Sequence, residues 1–187
     1  MNSEDLNNIE GKVLVADPFL QDPYFTRSVV LITETNDKGS IGFILNKPLS
    51  LSIEDAIEGF PEFDKFLSLG GPVDQEVMLF LHRKGDILDG SLSLGNGLFW
   101  GGDFEQLKVL ISQELIKEDD IYFFLGYAGW SPGQLEAELQ QGNWALSDFS
   151  PKYMEEDEAD NTWKKALLRS NSTNAFLANF PENPSLN

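Results

Sequence analysis

The chain has 187 residues, 41% of them hydrophobic, which is enough for one domain with a full core. Its 31 acidic residues against 13 Lys and Arg give a net charge of -18, which argues against direct binding of nucleic acid or anionic membranes, both of which recruit cationic side chains. It has one histidine and no cysteine, so disulfides, thiolate catalysis and cysteine-ligated metal are excluded.

Residues 1–10 are polar and acidic, without the apolar stretch of a signal peptide, and read as a flexible lead-in. No apolar run approaches the roughly 20 residues needed to cross a bilayer, so the expectation is a soluble cytoplasmic protein. KVLVA (12–16) predicts a strand, and DPFLQDPYFTR a loop with two Asp-Pro pairs, each keeping its Asp out of the helical region. RSVVLITE (27–34) and IGFILN (41–46), joined by the turn residues TNDKGS, predict an antiparallel hairpin covered on both faces. A short helix over about 53–58 is capped by Ser52. FLSLG (66–70) is a strand leading into the tight turn Gly70-Gly71-Pro72-Val73, and EVMLFLH (76–82) is another. SLSL (91–94) and LFW (98–100) flank a Gly95-Asn96-Gly97 turn. Asp103 opens a helix over about 104–116 with Phe104, Leu107, Ile111 and Leu115 on its inner face. WAL (144–146) and a helix over about 159–169 follow, and residues from about 171 to 187 read as a flexible tail.

The densest passage is GYAGWSPGQLEAEL (126–139). IYFFLGY reads as a buried strand that ends in a turn over Gly126–Trp130. Ser131 and Gln134 spell a capping box with Pro132 at the first helical position, so Ser131 is expected to cap the helix from Gln134 to Leu139. Leu135 and Leu139 form its inner face, with Glu136, Glu138 and Gln140 outside. The competing reading is an anion cradle at that helix end; packing first and binding second is the expectation for this stretch.

GKVLVADPFLQDPYFTRSVVLI, GSIGFILNKP, GGPV with a downstream LH, and GYAGWSPGQLEAEL ending in W stand in an order and spacing that resemble the YqgE/AlgH family, across roughly residues 11–168. The resemblance implies a single domain with a mixed α/β fold, its largely antiparallel, bifurcated sheet curled into a pseudo-barrel with helices packed outside. It brings an association with transcriptional regulation and no catalytic residues. The chain departs from the commoner family pattern in carrying Glu34-Thr35 where Glu-His is frequent, and Val77-Met78 where Arg-Gly is frequent.

No catalytic set is complete. Any Ser-His-acid triad must use His82, at the end of an apolar strand, and SLSLG (91–95) lacks the first glycine of a nucleophile elbow, so His82 reads as structural. EEDEAD (155–160) lacks the turn glycine and spaced Glu of a calcium loop and reads as a solvated charge run. GNGLFWG (95–101) misses the dinucleotide fingerprint by one residue and reads as a hairpin turn. No metal or cofactor is implied. The candidate binding surface comprises Asp17, Asp22, Arg27, Asn46, Lys47, Gly70, Gly71, Pro72, Gly129, Trp130 and Gln134. Within it, Arg27 is either stapled by Asp22 or joined with Lys47 to meet an anionic group. The function these residues point to is a non-catalytic binding or regulatory module for a protein or small ligand. The alternatives are an enzyme using Asp17, Asp22 or Glu136 as acid and base, and a DNA-binding regulator, against which the charge weighs.

Overall fold

A computed structural model describes residues 9–154 and 159–179. Among these residues ten strands run in chain order: β1 (Lys12–Ala16), β2 (Val29–Asn36), β3 (Gly39–Ile44), β4 (Pro48–Ser52), β5 (Phe66–Leu69), β6 (Val73–His82), β7 (Leu92–Gly95), β8 (Leu98–Trp100), β9 (Ile121–Trp130) and β10 (Trp144–Asp148). Among the described residues four α-helices accompany them: α1 (Ile53–Ala56), α2 (Phe104–Ser112), α3 (Gln134–Gln140) and α4 (Ala159–Arg169). The fold is a mixed α/β arrangement around one large, mostly antiparallel sheet in the order β10-β1-β2-β3-β9-β6-β8-β7. No ladder joins β10 to β7 among the described residues, so the sheet is open.

The first three strands alternate as period-2 patterning requires. Val13, Val15, Val29, Leu31 and Phe43 point into one core with Trp163 and Leu167 of α4. Leu14, Ala16, Val30, Ile32 and Ile44 point into another with Leu135 of α3. A third core joins Ile53 of α1 and Leu107, Leu110 and Ile111 of α2 to Leu67, Phe80 and Phe123.

Three local readings change. α1 is shorter than expected; Ser52 does cap it, accepting from the Asp55 amide at 3.1 Å. α2 ends at Ser112, because Glu114 turns left-handed (φ 58°) and redirects the chain. Leu115 is therefore exposed and Ile116 takes the buried place. PLSLS (48–52) is a strand, pairing β5, where no element is expected; Pro48 suits its first position, since that N–H is not needed there. Residues 155–158 of the acidic run lie outside the described residues, as do 1–8 and 180–187.

Candidate functional site

The Asp-Pro loop is built by its own side chains. Asp17 Oδ1 accepts from the Phe19 amide at 3.0 Å, and Asp22 Oδ1 accepts from the amides of Tyr24 and Phe25 at 2.8 and 3.0 Å. Asp22 is thus occupied locally and does not staple Arg27. The staple comes from the other side. Arg27 has φ 51°, and buried Asn46 holds the strained turn by donating to the Arg27 carbonyl (2.9 Å) while accepting from the Val29 amide (2.8 Å). Lys47 Nζ donates to the Thr26 carbonyl at 3.0 Å. The Arg27 guanidinium lies 4.8 Å over the Trp163 ring. Arg27, Asn46 and Lys47 therefore meet around a backbone turn.

Gly70, Gly71 and Gly126 form a second assembly, at the fork of the sheet. Residues 123–125 of β9 pair in parallel with β5, whereas 128–130 pair antiparallel with β3. Gly126 sits between, at φ 67°. Gly70 bridges the branches: its amide donates to the Leu125 carbonyl (2.8 Å) and its carbonyl accepts from the Ile44 amide (2.9 Å). A Cβ on Gly71 would lie 2.1 Å from the Tyr127 carbonyl carbon, and one on Gly126 2.5 Å from the Val73 oxygen. Pro72 carries the chain from this crossing into β6. Gly70, Gly71 and Gly126 thus let two backbones touch, whereas a Cβ on Gly129 would meet only the Tyr127 and Val73 side chains.

The expected turn at Gly126–Trp130 is therefore wrong: the strand continues to Trp130. The expected cap at Ser131 is half right. Gln134 Oε1 does accept from the Ser131 amide at 3.0 Å, but the residue preceding the helix is Gly133 at φ 78°, and no side chain caps there. Ser131→Ala is accordingly expected to change stability by less than about 0.5 kcal/mol, not the ~1 kcal/mol that a working N-cap loses. Urea denaturation of the variant checks this.

Glu138, read from the sequence as an outward residue, organises the area. Its Oε2 accepts from the indole N–H groups of both Trp130 (2.9 Å) and Trp144 (2.8 Å), and its Oε1 from Gln134 Nε2 (2.9 Å). Phe25 stacks on Trp130 at 6.1 Å and meets the edge of Trp144 at 5.4 Å. Two hollows flank this cluster. A groove of about 360 Å³ lies over Ile41, Val73, Tyr127 and Gly129 on the Trp130 side. A larger cleft of about 600 Å³ lies on the Trp144 side, between the Asp-Pro loop, the turn after α3, and residues 171–174. Its wall is fixed by Asp17 Oδ2, which accepts from Asn174 Nδ2 at 2.8 Å. The segment 171–174, read from the sequence as tail, packs here. Asn143, Asn171, Ser172 and Thr173 add amides and hydroxyls, and Phe19 and Trp144 add rings. Of the candidates named from sequence, Asp17 lines the cleft and Gly129 and Trp130 line the groove; Gln134 lines neither, but holds the Ser131 amide at the groove and donates to Glu138.

His82 is remote from this cluster and fully buried. Its Nδ1 accepts from the Lys84 amide (3.2 Å), which leaves the proton on Nε2, facing the Gly101 carbonyl at 2.9 Å and Ser91 Oγ at 3.1 Å. Ser91 donates to the Leu88 carbonyl at 2.6 Å. The imidazole thus has no lone pair with which to activate Ser91. Burial pushes its pKa below the ordinary 6.5, opposed only by the Gly101 bond. The sign follows: with the folded pKa depressed, stability is complete above pH 6.5 and is lost as pH falls towards the folded value. Because this is the chain's one histidine, urea midpoints at pH 7.5 and 6.0 are expected to differ more for the native chain than for His82→Gln. Among the described residues no three His, Asp or Glu side chains converge as a metal site, and no helix is long and apolar enough to cross a membrane.

The family model described as AlgH-like matches residues 13–174. The chain belongs to the AlgH-like family. It is 46% identical over 177 residues to a UPF0301 protein, CT0663, of Chlorobaculum tepidum, with 95% of each chain covered. A UPF0301 protein of Cytophaga hutchinsonii is 41% identical over 179 residues, covering 95% of this chain and 98% of its own. Among solved structures, the AlgH protein of Pseudomonas aeruginosa has a TM-score of 0.72 at 26% identity, covering 97% of this chain and 98% of that one. Protein DIP2367 of Corynebacterium diphtheriae has a TM-score of 0.74 at 26% identity, covering 92% of each chain. The family match spans the Asp-Pro loop, the glycine crossing and the Glu138 cluster.

Proposed function

We propose that this protein is a non-catalytic binding module, acting in the cytoplasm, that holds a neutral or cationic polar ligand in the cleft beside Trp144. The observation that carries this reading is the convergence of three segments distant in sequence on one cleft whose lining sets amide and hydroxyl groups beside the rings of Phe19 and Trp144 and the apolar Leu20, Leu139 and Leu146. Among the described residues, Asp17 is the one charged side chain in that lining. An acid–base pair needs two titratable groups facing one reacting bond. The second carboxylate of the alternative enzymatic reading, Asp22, is turned to its own loop amides, and Glu136 is not in the lining. An anionic ligand would meet a carboxylate and no cation, in a chain of charge -18. The curl of the sheet into a pseudo-barrel belongs to the same reading. It is supported by the approach of β7 to the start of β1, where a Cβ on Gly11 would sit 2.7 Å from the Leu94 carbonyl.

A fragment screen by amide chemical-shift mapping tests the proposal. Neutral and cationic polar fragments are expected to shift residues 17–21, 141–146 and 171–174 together. Shifts confined to the groove over Tyr127 and Gly129 would move the site elsewhere. Duplex DNA is expected to give no salt-sensitive gel shift at sub-micromolar protein, because no basic stripe offsets the acidic chain.

A further inference from the structure

The occupant's class follows from the edge of the sheet. β10 is the outermost strand on its side, with β1 as its partner. The Asp17 amide donates to the Asn143 carbonyl at 2.9 Å, so Asn143 faces β1. In the antiparallel register that pairs Ala16 with Trp144 and Leu14 with Leu146, backbone groups alternate sides. Trp144 and Leu146 therefore turn their N–H and C=O away from β1. At Leu146 both groups are taken by one residue: Asn171 Oδ1 accepts from the Leu146 amide at 3.0 Å, and the Asn171 amide donates to the Leu146 carbonyl at 3.2 Å. These are the two bonds that a neighbouring strand would make. Asn171 thus imitates one rung of a further strand, and Trp144 stands at the next rung, in the lining of the cleft.

We infer, building on the cleft reading above, that the ligand is an extended, basic segment of another protein, which adds to the outer edge of β10 by pairing with the Trp144 backbone. Strand addition obtains affinity from main-chain bonds and selectivity from side chains on alternate positions. The main-chain rung is Trp144. The side-chain preference comes from Asp17 and from the -18 net charge, both of which select Lys or Arg in the incoming segment and disfavour an acidic one. Asn171, fixed at Leu146, sets where the added strand ends.

The probes are a fluorescein-labelled peptide of alternating Lys and Val, its Glu–Val counterpart, a Lys–Val peptide interrupted by proline, and a neutral disaccharide, each titrated into the full chain at physiological salt. The alternating Lys–Val peptide is expected to bind, to shift residues 143–146 and 171–174, and to slow hydrogen exchange at the Trp144 amide. The proline-interrupted peptide is expected to lose that protection, because it lacks the N–H groups a ladder needs. Asp17→Asn is expected to weaken binding by about fivefold or less, the range of a partly exposed charge pair. Equal binding by the proline-interrupted peptide, with shifts spread over the acidic surface, would overturn strand addition in favour of charge attraction alone. Cleft shifts by the disaccharide, with no Trp144 protection by any peptide, would overturn it while leaving the cleft as a binding site. If no probe moves the cleft residues, both readings fall.

Discussion

Replacing Gly71 with alanine is expected to destabilise the protein by about 3 kcal/mol or more, at the upper end of overpacking costs. The added methyl would lie 2.1 Å from the carbonyl carbon of Tyr127 and 2.3 Å from the Ala128 nitrogen. These are backbone atoms of β9, held by β3 on one side, so no side chain can swing away to make room. Relief requires moving one branch of the sheet, and with it the Gly70 bridge between Ile44 and Leu125. For a chain of this size, such a loss lowers the melting temperature by roughly 6–12 °C. Gly59→Ala is the control. Gly59 has φ 74° but nothing within 4 Å of its Cβ position, so it carries left-handed strain without a collision. Its expected cost is about 1–2 kcal/mol. Equal losses for the two variants would show that backbone conformation, and not close approach, is what glycine supplies at the fork.

That fork also marks the boundary of what the sequence makes legible. KVLVA and LFW fall on β1 and β8, because runs this short and this rich in β-branched or aromatic residues suit a strand and are too short for a helix. The β2–β3 hairpin is equally plain, down to the covering of both faces. GYAGW is not. Its glycines look like a turn, since local pattern reports what glycine permits and not which backbone lies against it. β9 changes neighbours at Gly126, where one left-handed residue (φ 67°) kinks a strand that runs on to Trp130, and partner exchange has no periodicity. The site was half legible. Asp17 and Trp130 stand out as polar and aromatic residues among turn formers. Asn171 and Asn174 carry no local signal, because their partners, Leu146 and Asp17, are 25 and 157 residues away in the chain. Arg27, Asn46 and Lys47 do meet at the strand ends that the sequence places together, around a turn of the chain's own backbone.

Glu138 yields the second large effect. A helical wheel sets it on the outer face of α3, where Glu→Ala in a helix is close to neutral or slightly favourable. The structure predicts the opposite. Trp130 and Trp144 are each 5% exposed, and both indole N–H groups depend on one carboxylate oxygen of Glu138. Removing that oxygen strands two buried donors, each costing about 1–3 kcal/mol, so Glu138→Ala is expected to lose about 3 kcal/mol in urea denaturation. Glu138→Gln separates hydrogen bonding from charge. Its one carbonyl oxygen can still face both indoles, and what is lost is one exposed bond: either its amide meets the Gln134 amide donor to donor, or Gln134 flips to accept and gives up the Ser131 amide. The expected loss for Gln is therefore about 1 kcal/mol, that of one hydrogen bond. The indole N–H resonances of Trp130 and Trp144 supply the local readout: both should move together in the Ala variant, because one atom holds them. Since Trp144 lines the cleft and Trp130 the groove, a shared acceptor also means that a ligand displacing Trp144 is felt at Trp130. If Glu138→Ala proves neutral, the two indoles have other acceptors, and the link between the two hollows disappears with the carboxylate's role.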